Sequence, residues 1–148
     1  MTPVTRKKLR TATRLLLGAF VTTAGIGHLS FARKDFQAQV PNWVPLQKDD
    51  TVVYSGYVEI ALGLALLAAP KKYRQQVGTI AATFFVAVFP GNLAQYNHHR
   101  DALGMDTDTK RLVRLFFQPV LMYAAVAGTK PEPLAELRQG NVKDAIEA

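Results

Sequence analysis

The feature that most constrains this chain is the distribution of its charged residues, which leaves four long stretches almost without charge. Three are uncharged, LLLGAFVTTAGIGHLSFA, QQVGTIAATFFVAVFPGNLAQYNHH and LFFQPVLMYAAVAGT, and the other, TVVYSGYVEIALGLALLAAP, contains only Glu59. A helix needs about 17 to 25 apolar residues to cross roughly 30 Å of hydrocarbon, and these stretches approach that length. The pattern predicts an all-α integral membrane four-helix bundle, with spans at about 12–32, 51–69, 76–97 and 110–128. A basic segment, 1–11, precedes this transmembrane domain of residues 12–128, and a tail, 129–148, follows it.

Two other interpretations of the apolar stretches compete with this one. A soluble four-helix bundle would need a charged or polar face at helical spacing, and residues 77–93 show none. A cleaved signal peptide over residues 1–32 would have a shorter apolar core than the stretch that follows Arg14. We therefore expect a membrane protein that keeps its first span.

The basic residues predict the orientation in the membrane. Eleven of the eighteen fall in residues 1–14, the 71–74 loop and the tail, which an even number of spans places on one side. The other seven share their side with six Asp residues. By the positive-inside rule both termini are predicted to be cytoplasmic. The net charge of +7 is then explained without nucleic-acid binding, for which the sequence has no motif. The basic face suits contact with anionic lipid headgroups.

The absence of cysteine from all 148 residues excludes several kinds of chemistry. Disulfides, iron–sulfur clusters, thiolate nucleophiles and Cys-ligated zinc all require that residue. The length allows one domain, and the chain has no Walker, GxSxG or dinucleotide-binding motif. We predict no metal site, because the adjacent His98 and His99 with their Asp neighbours match no regular ligand spacing.

Polar side chains within the predicted spans are the candidates for function, because each is unfavourable in hydrocarbon. At about 1.5 Å per residue, His28, Glu59, Asn92 and Gln118 fall in one layer of the outer leaflet, with Arg114 one turn above Gln118. Glu59 and His28 are the predicted catalytic pair. The predicted ligand-binding residues are Asn92, Gln118, Arg114, Tyr54 and Trp43.

Each of these residues also has a purely structural interpretation. Asn, Gln and His side chains often join membrane helices by hydrogen bonds without any further role. Glu59 is either driven to its neutral form by burial or held charged by Arg114 or His28, and the sequence leaves both states open. Trp43, between Pro41 and Pro45, is either an anchor at the membrane interface or part of a lid over an opening between helices.

Several short motifs resemble the DoxX family of small bacterial membrane proteins. They are GIGHLSF with Gly25 and His28, VPNWVP, VVYSGYVEIALGLALL with Glu59, and VAVFPGNLAQY with Asn92. The resemblance covers residues 12–128 and implies a four-helix bundle in the bacterial cytoplasmic membrane. It also implies an association with oxidoreductases, since some members are subunits of a thiosulfate:quinone oxidoreductase.

Two functions from different classes remain open. The first is a quinone-interacting or redox-partner membrane subunit, in which the bundle admits a quinone ring and the pair of Glu59 and His28 delivers the proton. No electron carrier is recognisable in the chain, so another protein subunit would supply electrons. The second is a non-catalytic assembly or scaffold subunit, or a homo-oligomer, in which the polar layer only locks the bundle together.

Overall fold

Four long helices and one short helix make up residues 1–133, the part of the chain that the computed structural model describes. Their bounds are α1 Pro3–Leu29, α2 Arg33–Phe36, α3 Lys48–Ala68, α4 Arg74–Asn97 and α5 Asp108–Thr129. One-turn 3-10 segments at Gln37–Gln39 and Lys71–Tyr73 complete the connections. The predicted all-α class is confirmed, and this part contains no β-strand, only a bridge between Ala102 and Met105. Most of the predicted tail lies outside the described residues.

The first helix begins nine residues before the predicted span, at Pro3 instead of residue 12. The Thr2 hydroxyl accepts the backbone N–H of Thr5 at 3.2 Å, and proline suits the first helical position, where no N–H is needed. The basic segment is therefore a continuation of α1. We refer to the end of the bundle where α1 begins as the basic end.

Glycine pairs set the distance between α1 and α3, which run antiparallel. A Cβ added at Gly25 would lie 2.7 Å from the carbonyl oxygen of Gly56, and one at Gly18 would lie 3.0 Å from that of Gly63. Only glycine permits such close backbone approach, as at the small-residue interfaces of membrane helices. We call this contact, formed by Gly18, Gly25, Gly56 and Gly63, the glycine seam. It fixes which side chains of α1 and α3 face each other.

The second antiparallel pair, α4 and α5, packs against the first mainly through α1 and α5. At the basic end Gly78 lies against α5, where an added Cβ would be 2.6 Å from the carbonyl oxygen of Ala125. Contacts between α3 and α4 are sparse, so the bundle is least closed on that side. The shared core is formed by Leu17, Val21, Leu66, Ala81, Phe85, Leu121 and Ala125.

Large apolar side chains also cover the outside of the bundle. Leu16, Ile80, Val86, Phe116 and Tyr123 are all exposed. In the described part, α3, the stretch Lys71–Asn97 and α5 are long and apolar enough to cross a membrane. The first helix meets the same criterion only together with Arg33–Gln39, which is bent from it by 96°. Three helices thus match the predicted spans by length and composition. The first helix does so only when it is counted together with the bent segment that follows it.

A buried arginine ties α1 to the end of α3. Arg14 donates hydrogen bonds to the carbonyl oxygens of Leu66 and, at 2.9 Å, Leu67. These carbonyls belong to the last turn of the helix, where no backbone N–H is available to them.

We expect Arg14→Leu to lower the free energy of unfolding by about 1–3 kcal/mol, because the substitution leaves both carbonyls without a donor. The measurement is thermal or denaturant unfolding in detergent. Arg10→Leu is the control, because Arg10 is less buried than Arg14 and, within the described residues, donates only to the Pro131 carbonyl, at 3.3 Å. Equal losses for the two variants would contradict the capping role of Arg14.

Candidate functional site

A cavity of about 510 Å³ lies at the end of the bundle opposite the basic end, among α1, α3, α4 and α5 and under the loop that joins α1 to α3. We call this end the lid end, and the loop of residues 31–46 the lid. Aromatic side chains form much of the cavity wall: Phe20, Phe31, Phe36, Trp43 and Phe85. Among the polar residues that line it are His28, Glu59, Asn92, Arg114 and Gln118. The helices therefore bring the five polar residues of the predicted layer to one cavity.

Glu59 and His28 are in direct contact. Nδ1 of His28 lies 2.8 Å from Oε2 of Glu59, and both side chains are largely buried. The same nitrogen lies 2.9 Å from the carbonyl oxygen of Ala24, towards which its N–H is directed. Oε2 of Glu59 is consequently buried without a hydrogen bond from the described residues. The imidazole ring is held by stacking on Phe36, with ring centroids 3.5 Å apart and an interplanar angle of 13°.

Asn92 and Gln118 form a hydrogen-bonded chain between α4 and α5. Nε2 of Gln118 donates to the carbonyl oxygen of Phe85 at 2.9 Å, in the part of α4 that precedes Pro90. Oε1 of Gln118 accepts from Nδ2 of Asn92 at 3.0 Å. The other end of the Asn92 amide, Oδ1, is buried and has no hydrogen-bond donor in the described part of the chain. Such an atom is unusual, since nearly all buried polar groups are paired.

Arg114 contributes a guanidinium group to the same cavity from α5. It interacts electrostatically with Glu59, but no described carboxylate lies within salt-bridge distance of it. No hydrogen bond joins it to any residue in 1–133. Five N–H donors are thus available at a site where two buried oxygens, Oε2 of Glu59 and Oδ1 of Asn92, accept no hydrogen bond from the described residues.

Two other predicted ligand-binding residues differ in position. Trp43 lines the cavity while 74% of its surface is exposed, and Phe31 does the same at 78%. These two side chains mark the mouth. Tyr54 does not line the cavity and is 62% exposed, because it lies on a different face of α3 from Ser55 and Glu59.

The lid is anchored to α3 on one side. Arg33 forms a two-pronged ion pair with Asp49, with Nε 2.8 Å from Oδ1. Nε2 of Gln37 donates to the same Oδ1 at 2.9 Å. These bonds hold α2 and the start of α3 together across the loop, and they place Phe36 over His28.

The other side of the lid is anchored by Arg100, from the loop between α4 and α5. Its guanidinium donates to the carbonyl oxygens of Ala38 at 3.0 Å and Val40 at 2.9 Å, and to Oδ1 of Asn42 at 2.7 Å. Close packing supports this contact, because a Cβ added at Gly91 would meet the carbonyl oxygen of Gln39. Sequence reasoning missed Arg100, because the atoms it binds are mostly backbone carbonyls that carry no residue-type signal.

Ion pairs and hydrogen bonds of charged side chains stabilise the loop between α4 and α5. Arg111 is 5% exposed, pairs with Asp101 and Asp108, and donates to the carbonyl oxygens of His99 and Arg100. A hydrogen bond from Lys110 lowers the pKa of the Asp106 carboxyl below its usual range. These interactions hold the loop in place and so position Arg100 beneath the lid.

We expect Arg100→Met to release the lid. The substitution removes three hydrogen bonds from a charged donor, so amide hydrogen exchange over residues 37–44 should become at least about tenfold faster. Mass spectrometry of peptides from the lid measures this rate. Lys34→Met is the control on the lid itself, since Lys34 is exposed and should leave the rate unchanged. Unchanged exchange in Arg100→Met would show that the lid is held by other contacts.

The comparisons with known proteins correct one prediction from the sequence. A family model described as a domain of unknown function (DUF8561) matches residues 2–129, and no family evidence supports DoxX. The resemblance to DoxX is therefore wrong, because its motifs are short combinations of glycine, proline and aromatic residues, which also suit other membrane-type helices. No curated protein and no solved structure matches the chain. Since the family match spans nearly all of the described residues, the chain belongs to the DUF8561 family, a domain of unknown function.

Proposed function

We propose that this protein is a four-span membrane protein with both termini in the cytoplasm, and that its cavity binds a quinone. The observation that supports ligand binding is that several polar groups without hydrogen-bond partners face one cavity with aromatic walls. Within the described residues, Oε2 of Glu59 and Oδ1 of Asn92 are buried and accept no hydrogen bond, and the guanidinium of Arg114 donates none. These groups become hydrogen-bonded only if something polar occupies the space between them.

A quinone head group suits this cavity in size and chemistry. About 510 Å³ falls within the range of ordinary small-molecule sites, which are mostly apolar with a few polar groups that fix orientation. A planar ring can stack against aromatic side chains, and its carbonyl oxygens can accept hydrogen bonds from Arg114. The isoprenoid tail would leave through the mouth, where Phe31 and Trp43 are exposed.

Glu59 is the group suited to exchange a proton with such a ligand. Its Oε2 atom accepts no hydrogen bond from the described residues and lies 2.8 Å from Nδ1 of His28, and carboxyl and imidazole groups are common proton donors and acceptors in catalysis. Electrons would come from a partner protein, so we propose a redox-partner membrane subunit. The alternative is a scaffold subunit, in which the chain from Asn92 through Gln118 to Phe85 only joins α4 to α5.

The membrane part of the proposal rests on the distribution of apolar and basic surface. Exposed apolar side chains cover the long helices, and the basic residues of α1 and of the 71–74 loop lie at one end. The positive-inside rule places that end in the cytoplasm and the lid end outside. The polar cavity then opens towards the outer leaflet.

Because the chain has no cysteine, labelling of single cysteines tests this orientation without background. We expect Thr109→Cys, at the lid end, to react with a membrane-impermeant maleimide on intact cells. We expect Lys72→Cys to react only after permeabilisation. Both positions are exposed, so burial within the protein does not limit the reaction of either cysteine with the maleimide. The reverse pattern would show that the orientation is wrong.

The single tryptophan of the chain provides the binding test, because Trp43 lines the mouth of the cavity. We expect a short-chain ubiquinone with a decyl tail to quench its emission saturably in detergent or nanodiscs. Free tryptophan in the same detergent is the control for collisional quenching, which does not saturate. A linear response like that of the control would contradict quinone binding and favour the scaffold function.

A further inference from the structure

From the unpaired oxygens we infer that the cavity binds the reduced form of the ligand, a quinol with two hydroxyl groups, more tightly than the quinone. This inference rests on the proposed function and deepens it. A quinone carbonyl can only accept a hydrogen bond, whereas a quinol hydroxyl both donates and accepts. The donors and acceptors that the cavity leaves unused decide which form is preferred.

The amide orientation of Asn92 is fixed by the atoms behind it. The carbonyl oxygen of Phe85 can only accept, so the group of Gln118 that contacts it must be the NH₂. Oε1 of Gln118 therefore faces Asn92 and must receive an N–H, which makes Nδ2 the contacting atom. Oδ1 of Asn92 is then the remaining end, an acceptor that requires a donor from outside the chain.

Glu59 adds a second acceptor. Nδ1 of His28 has hydrogen-bond geometry towards the carbonyl oxygen of Ala24, and although it lies 2.8 Å from Oε2 of Glu59, that oxygen accepts no hydrogen bond from the described residues. As a carboxylate, this side chain can only accept. Two walls of the cavity, on α3 and on α4, thus present oxygen atoms that need donors.

Arg114 on α5 presents the complementary group, a donor without an acceptor. A quinol hydroxyl can donate to an oxygen of Asn92 or Glu59 and can accept from Arg114 through its own lone pairs. A quinone can accept from Arg114 but leaves the oxygen of Asn92 unpaired in a buried position. An unpaired buried acceptor of this kind corresponds to a loss of about fivefold to a hundredfold in affinity.

The test is a competition under anaerobic conditions, with the quenching of Trp43 by decyl-ubiquinone as the signal. We expect decyl-ubiquinol to displace the quinone with a dissociation constant at least about fivefold lower than that of the quinone. Glu59→Gln should reduce or reverse this preference, because its amide supplies an N–H donor. Asn92→Leu should reduce the preference without abolishing it, because the oxygen of Glu59 remains as an acceptor.

Ser55→Ala is the matched control on the same wall of α3, because the Ser55 hydroxyl already donates to the carbonyl oxygen of Val52. It should keep the full preference. If Asn92→Leu does not fold, Glu59→Gln still decides the question. Quinone binding as tight as quinol binding in the wild type would overturn this inference while leaving the proposed function in place. Binding of neither form would overturn the proposed function itself.

Discussion

Replacing Arg114 by methionine is expected to weaken quinone binding about tenfold to a hundredfold, while the fold is retained. Hydrogen bonds from a charged donor contribute about 1.5–3 kcal/mol, and Arg114 donates no hydrogen bond within the described part of the chain, so its donors are available to the ligand. Methionine keeps most of the side-chain volume and packs well among apolar neighbours. Thermal stability should therefore stay equal or rise, since the substitution removes an unpaired charge from a partly buried position.

The control for this variant is Tyr54→Phe, which removes a hydroxyl from a residue outside the cavity lining. Its affinity for decyl-ubiquinone should equal that of the wild type. A large loss of stability in Arg114→Met, with unchanged affinity per folded molecule, would mean that Arg114 supports the bundle and does not bind the ligand. The separate measurement of melting temperature and quenching distinguishes these outcomes.

Replacing Gly25 by valine is expected to produce the largest loss of stability, at least about 3 kcal/mol, because it forces α1 away from α3. An added Cβ would lie 2.7 Å from the carbonyl oxygen of Gly56 and 2.8 Å from the backbone nitrogen of Ile60. Backbone atoms in the middle of a helix cannot move aside as a flexible side chain can, and overpacking alone costs about 1–3 kcal/mol. The seam also positions His28 beside Glu59, so ligand binding should be lost in the same variant.

Ala19→Val on the exposed face of α1 is the matched control, since it adds valine to the same helix without a neighbour to displace. It should change the melting temperature by less than about 2 °C, in line with surface substitutions. Similar losses for the two variants would show that valine is unfavourable in this helix for a reason other than the seam.

The helices were the part of the fold most accessible from the sequence. Uncharged stretches of helical length have few alternative structures, and α3, α4 and α5 begin and end within three residues of the predicted spans. The start of α1 was missed because its basic residues resemble an extended cytoplasmic segment, although Thr2 and Pro3 form a capping signal. The bend after Leu29 was also missed, since the predicted first span continued to residue 32.

The residues around the cavity were predictable only in part. Depth along each helix placed His28, Glu59, Asn92 and Gln118 at one level, and the glycine seam and the α4–α5 contact bring them to one cavity. The contribution of Arg100 depends on the tertiary path of the lid, which no periodic pattern describes. Tyr54 was assigned without regard to the helical phase that places Ser55 and Glu59 on another face of α3.

The central claim is that a quinone occupies the cavity between the helices at the lid end, and photolabelling tests it most directly. A decyl-quinone that carries an azide on its ring would be irradiated with the protein in nanodiscs, and the labelled peptides identified by mass spectrometry. The account predicts label on cavity residues such as Phe36, Trp43 and Phe85, competed by unmodified quinone and reduced in Arg114→Met. Label confined to the exposed outer faces, at residues such as Phe116 and Tyr123, and not competed by excess quinone, would contradict it.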